Sequence, residues 1–277
     1  VKTRAEIKEQ ARTGFSSKYW PVVGIALLGM VIVGAINYIP GVGGLIYLFI
    51  GTIIMVGLNG FFLSVYRGSE LKVESLFTPF NRYGRVLGGM LWMYLWLFLW
   101  ALIFIIPFAV VMTVGIVNAI LSSGPAFLDS FASTSMHMGM ARDGFYGYGG
   151  MMPWANAQFW SGLFSFFNPW MLLLYLLLIP VLIKAYAFFC IPYLLADSPE
   201  VPAMEALKLS QKMMAGYKWK LFVTQLTFLG WLLLCGITAG ILWIFYVGPY
   251  FNATMAGFYE EVKKNAKEKG IPGAEIL

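Results

Sequence analysis

Between Leu221 and Tyr259 the chain runs for 39 residues without a charge. At 1.5 Å per helical residue this run is too long for one crossing of a roughly 30 Å hydrocarbon layer. Its softest stretch, Cys235-Gly236-Ile237-Thr238-Ala239-Gly240, lies in the middle. The pattern predicts two membrane helices joined by a tight turn, with Lys218 and Lys220 before the pair and Lys263 and Lys264 after it.

The same pattern recurs along the chain. Residues 2–19 place Ala5, Ile7, Ala11 and Phe15 on a partial apolar stripe among Lys2, Arg4, Lys8 and Arg12. Such a stripe predicts a short helix lying in the membrane interface. Tyr19 and Trp20 mark the headgroup level. A first span follows over about Pro21–Ile39, a turn at Pro40-Gly41-Val42-Gly43-Gly44, and a second span over about Leu45–Tyr66. The late apolar start at Pro21 predicts a retained anchor, not a cleaved leader.

A polar connection then carries Arg67, Lys72, Arg82 and Arg85. Its Ser75–Phe80 part predicts another interfacial turn. The third span runs from about Val86 to Val117, with a kink expected at Pro107. Residues 118–168 are rich in glycine and methionine and predict short helices or a cap on the outer face. The fourth span covers about Trp170–Leu195 and contains Pro180, Lys184 and Pro192. Ser198 then predicts a capped interfacial helix extending to Gly216.

Gly14-Phe15-Ser16-Ser17-Lys18-Tyr19-Trp20 parallels Gly216-Tyr217-Lys218-Trp219-Lys220, and Gly60-Phe61-Phe62 parallels Gly257-Phe258-Tyr259. Phe188-Phe189-Cys190-Ile191-Pro192-Tyr193 resembles Ile244–Tyr250 in the last span. The expectation is an all-α polytopic transmembrane protein. It is one membrane domain of six spans in three hairpins: 1–66, 67–197 with the insertion 118–168, and 198–277. Cytoplasmic interfacial helices accompany them.

Composition agrees, with 60% hydrophobic and 12% charged residues against about 25% charged in soluble domains. Long unbroken apolar runs argue against a β-barrel. Of the 19 Lys and Arg, all but Arg142 and Lys184 fall before the first span, between hairpins, or in the tail. The positive-inside rule therefore puts both termini in the cytoplasm. The net charge of +6 suits anionic headgroups at that face rather than nucleic acid.

Lys184 is the one clear ionisable residue within a span. A charge there predicts a functional role, such as meeting an acidic headgroup, against the plainer reading of snorkelling to the surface. Tyr186, Tyr193 and Asn252 are secondary candidates for the same ligand. Asn59 and Asn252 also suit hydrogen bonds between helices. His137 with Met136, Met138 and Met140 is a weak soft-metal pattern, and packing of a methionine-rich cap competes with it. Cys190 and Cys235 read as small hydrophobes. No cofactor motif is present, nor any arrangement of catalytic residues.

Lys184-Ala185-Tyr186-Ala187-Phe188 and Pro192-Tyr193-Leu194-Leu195-Ala196-Asp197 are followed by Glu205–Ser210, Met214–Trp219 and Pro249–Thr254. On these residues the chain resembles the uncharacterised bacterial integral membrane proteins of the domain of unknown function 975. The resemblance implies a bacterial cell-membrane location and makes Lys184 part of the family pattern, but it implies no activity. Binding or transport of a lipid or other amphipathic molecule is the leading expectation. A non-enzymatic oligomeric scaffold or regulator is the alternative, and a lipid-modifying enzyme stands below both.

Overall fold

The computed structural model describes residues 2–123 and 169–277, all of whose regular structure is helical. The helices are α1 (Arg4–Ser17), α2 (Tyr19–Asn37), α3 (Gly43–Ile46), α4 (Thr52–Arg67), α5 (Tyr83–Ser123), α6 (Pro169–Leu176) and α7 (Leu178–Ala187). They continue as α8 (Ile191–Asp197), α9 (Ala203–Met213), α10 (Lys218–Leu226), α11 (Leu229–Ile237) and α12 (Gly248–Glu268). Among the described residues, five stretches are long and apolar enough to cross a membrane: Tyr19–Asn37, Gly43–Arg67, Val73–Val114, Leu173–Asp197 and Lys218–Ile237. The chain is thus a multi-span integral membrane protein.

Proline sets the breaks in the fourth stretch. Each proline lacks an N–H and crowds the carbonyl four residues back. The helix is interrupted at Leu177, just before Pro180, and at Phe188–Cys190, just before Pro192. Pro107, by contrast, lies inside the continuous α5. The softest part of the 39-residue run does end a helix. After Ile237 the backbone turns through Ala239 (φ 49°) and Gly240 (φ 83°).

Two π turns fall at related places. Tyr47–Gly51 leads into α4, and Trp243–Val247 leads into α12. The register that lays Gly60 on Gly257 lays the first π turn within one residue of the second. The register that lays Pro192 on Pro249 puts the Phe188–Cys190 break inside the second π turn.

Two compact units are present, Val1–Leu97 with Ile183–Leu277, and Phe98–Leu182. In the second, Phe104 stacks on Phe108 at 5.3 Å and on Tyr175 at 6.4 Å. In the first, the stretch Gly43–Arg67 that contains α4 is central: 61% of its apolar part is buried, against 28% or less for the other four stretches. Outward faces of α2, α10 and α11 leave Val31, Leu226, Leu233 and Ile237 exposed, as suits lipid contact.

α1 begins at a capping box, in which Thr3 and Glu6 satisfy each other's backbone N–H groups. Those bonds hold the Glu6 carboxyl below the usual carboxylate range, the backbone N–H of Thr3 being the main cause. Ile7, Ala11 and Phe15 form its apolar face, as the sequence predicts. That face is covered by α12 and α4, however, not by lipid. Gly14 lies so close to Val65 that a Cβ would sit 2.5 Å from that residue's carbonyl oxygen. α9 likewise turns Ala206, Leu209 and Met213 into the core. It starts at Ala203, later than Ser198 predicts, and Ser198 instead closes α8 with its Oγ buried and without a hydrogen-bond partner.

The connection after α4 does not stay at the surface. Two short 3₁₀ turns, Val73–Leu76 and Thr78–Arg82, fold back against α4. Leu76 is fully buried. A Cβ on Gly57 would lie 2.1 Å from the Leu76 carbonyl oxygen, so glycine is what permits this approach.

Candidate functional site

In the first unit, α4, α5, α8, α10 and α12, with the end of α7, frame a groove of about 320 Å³. Phe188, Phe189, Phe251 and Met255 give it an apolar lining, into which Asn59, Tyr193, Gln225 and Asn252 bring polar atoms. These side chains come from separate apolar stretches. Burying an amide in such surroundings is costly unless it is bonded. Asn59 donates from Nδ2 to the Met55 carbonyl at 2.8 Å, and Asn252 to the Gly248 carbonyl at 2.9 Å. Each amide thus keeps its own carbonyl oxygen and a second N–H for another partner. Gln225 accepts from the Tyr186 hydroxyl at 2.9 Å.

The breaks and π turns position these groups. The Phe188–Cys190 break redirects the chain so that Phe189 and Tyr193 both reach the groove. The Tyr193 ring is stacked on Tyr259, with centroids 5.1 Å apart and planes 16° apart. The second π turn precedes Asn252 by one helical turn.

Two of the sequence candidates, Tyr193 and Asn252, therefore line one groove, and Tyr186 reaches it through Gln225. Lys184 does not line it. It is half-buried in the last turn of α7, beside the groove residue Ala185, where a cation suits the helix's carbonyl end. Gln225 escaped the sequence reading. The available signal was its being the single amide in Lys218–Ile237.

A second polar centre lies where the ends of α4 and α8 meet the side of α12. Asp197 accepts from Arg67 Nη1 at 2.6 Å and Nη2 at 3.0 Å, from Lys263 Nζ at 2.6 Å and from the Tyr259 hydroxyl at 3.2 Å. Arg67 also pairs with Glu260. In the sequence Asp197 closes the second hairpin and the family pattern that begins at Pro192, with no role at a site. Close by, Arg85 donates to the carbonyls of Val201, Leu195 and Ser198 at 2.8, 3.1 and 2.6 Å. It ties the start of α5 to the turn after α8.

Cys190 and Cys235 are buried and unpaired with each other. Among the described residues no three His, Cys, Asp or Glu side chains gather as a metal site. His137, Met136, Met138 and Met140 lie outside the described residues.

A family model described as "Protein of unknown function (DUF975)" matches residues 1–146 and 151–266. No curated protein matches the chain, and no solved structure does.

Proposed function

The chain belongs to the DUF975 family, proteins of unknown function, and from that premise we propose that it binds or moves a lipid or other amphipathic molecule. The groove carries this reading. An apolar slot with a few placed polar groups is the general form of a small-molecule site, and a volume of about 320 Å³ suits part of an acyl chain or a comparable apolar tail. Asn252, Tyr193 and, through Gln225, Tyr186 would orient the ligand. Lys184 stands beside the groove and would meet an acidic headgroup. Anionic lipids at the cytoplasmic face of a bacterial cell membrane are the natural partners.

Ala185 is exposed and lines the groove, so Ala185→Trp should fill it without disturbing the core. Native mass spectrometry of the variant is expected to show roughly tenfold less co-purified lipid in total, with an unchanged melting temperature. That loss corresponds to about 1.4 kcal/mol of binding. Lipid retention equal to the parent protein's would sink the groove reading.

A scaffold reading is favoured by a different observation. Leu233 and Ile237 on α11 are 68% and 82% exposed, a face a second copy would cover as readily as lipid would. Paired carboxylates of the kind a lipid-modifying enzyme uses do not line the groove.

The topology we favour has six spans in three hairpins within one membrane domain, divided as 1–66, 67–197 and 198–277. Residues 241–259 form the sixth span. Support comes from the irregular turns at matching registers in all three units. The distribution of Lys and Arg favours cytoplasmic termini. A Ser161→Cys variant should react with a membrane-impermeant maleimide on intact cells. Reaction only after lysis would reverse the orientation.

A further inference from the structure

Beside Asp197 lies a second cavity, of about 480 Å³, that the groove reading does not use. Its walls are α4, the 3₁₀ turn Thr78–Arg82, the start of α5 and the end of α8. Arg67, Arg82 and Arg85 line it, against a single lining carboxylate, Asp197. The cavity's charge balance follows from what each group already does. Arg67 and Asp197 pair with each other. Arg85 is bonded to neutral carbonyl oxygens, which fix its guanidinium without offsetting its charge. Arg82 makes no hydrogen bond or ion pair among the described residues, and neither does the side chain of Asn81, which lines the same wall.

Two guanidinium groups three positions apart thus face one cavity with no carboxylate in an ion pair with either, and Glu200 acts on Arg85 only at longer range. One is held in place and the other is free to close on a ligand. Guanidinium forks match the oxygens of a phosphate. The volume lies in the range of small-molecule sites, beyond what a bare ion requires. Gly57 and Gly60 keep the α4 wall thin.

We propose that this cavity binds a phosphate-bearing anion, recognised by Arg82 and Arg85, with Asn81 and the hydroxyls of Ser64, Ser75 and Thr78 available to the rest of the molecule. A lipid headgroup and a free phosphate ester share this chemistry. The proposal uses no groove-lining residue, so it stands or falls separately from the groove.

The test uses the full chain in nanodiscs of phosphatidylcholine containing phosphatidylglycerol. Retained lipids are read by native mass spectrometry, and glycerol 3-phosphate binding is read by melting. Arg82 is exposed, so Arg82→Gln should fold normally. It should reduce selective retention of phosphatidylglycerol, or affinity for glycerol 3-phosphate, by about tenfold, the scale of one charge-assisted hydrogen bond. Arg82→Lys, which keeps the charge but loses the fork, should fall between. Lys72→Gln removes a nearby exposed cation that already pairs with Glu70 and should have no effect. Total lipid should be unchanged in every variant, which separates this site from the groove.

Arg82-dependent retention of phosphatidylglycerol that glycerol 3-phosphate does not disturb identifies a lipid headgroup. Arg82-dependent binding of glycerol 3-phosphate without lipid selectivity identifies a free phosphate ester, and displacement of the lipid by the ester shows that both fit. Equal losses in Arg82→Gln and Lys72→Gln would reduce the effect to general surface charge and overturn the proposal. So would the absence of any Arg82-dependent binding of either probe.

Discussion

Gly57→Ala is expected to destabilise the protein by about 3 kcal/mol, at the upper end of the usual cost of overfilling a packed interior. The new Cβ would meet the Leu76 carbonyl oxygen at 2.1 Å, its carbon at 2.7 Å and its Cα at 2.9 Å. All three are backbone atoms, so no side-chain rotation relieves the contact. The 3₁₀ turns would have to move away from α4, with Leu76 leaving the core. Gly34→Ala is the control, since nothing lies within 4 Å of a Cβ there. Alanine's better helix propensity should leave that variant as stable as the parent or slightly more so. Unfolding by SDS titration in mixed micelles would measure both. A Gly57→Ala midpoint matching that of Gly34→Ala would show that the connection does not pack on α4 as described.

Asp197→Ala should cost about 2 kcal/mol. Removing one partner of a fully buried ion pair costs roughly 3–5 kcal/mol, because the other charge is left without compensation. Here the side chains of Asp197 and Lys263 are 9% and 13% exposed, but that of Arg67 is 37% exposed, and water softens the loss. The variant leaves Arg67 and Lys263 as neighbouring cations. Adding Lys263→Met should therefore restore part of the stability, giving a double-mutant effect smaller than the sum of the singles. Asp197→Ala within about 0.5 kcal/mol of the parent in the same titration would show that α4, α8 and α12 are held together here by apolar packing alone.

The two sites differ in how far the sequence reveals them. Apolar runs and their Pro-Gly interruptions mark where helices pass and break, because membrane helices need unbroken apolar length. The stripe of Ile7, Ala11 and Phe15 marks a buried face, but periodicity does not say what covers it, and protein takes the place expected of lipid. Asn252 stands out in the sequence as a polar group in apolar surroundings, Tyr193 belongs to the family pattern, and both line the groove. Gln225 carries the same signal and was hidden by the length of its run.

The Asp197 network is harder to read. Its charges sit where charge is ordinary, at or beyond the ends of the apolar runs. Only the fold brings Arg67 and Lys263 to the same carboxylate. Lys184 shows the converse. An unusual residue in sequence is close to the groove without lining it. The Arg82 cavity had no sequence signal beyond a basic connection, since its shape depends on the backbone contact at Gly57.

The packing of α1 against α12 also bears on the order in which the protein can be made. Just before α1, Lys2 donates its backbone N–H to Glu261 at 2.8 Å, and just after it, at the start of α2, the Tyr19 hydroxyl donates to the Phe245 carbonyl in the second π turn at 3.1 Å. These partners leave the ribosome more than 220 residues apart. At roughly 5–20 residues per second, the first helix waits on the order of ten seconds or longer for the last. Throughout that interval its apolar stripe lacks its α12 cover. The stripe that reads as membrane-facing in the sequence thus stays uncovered on that side in the nascent chain, while the finished fold turns it inward.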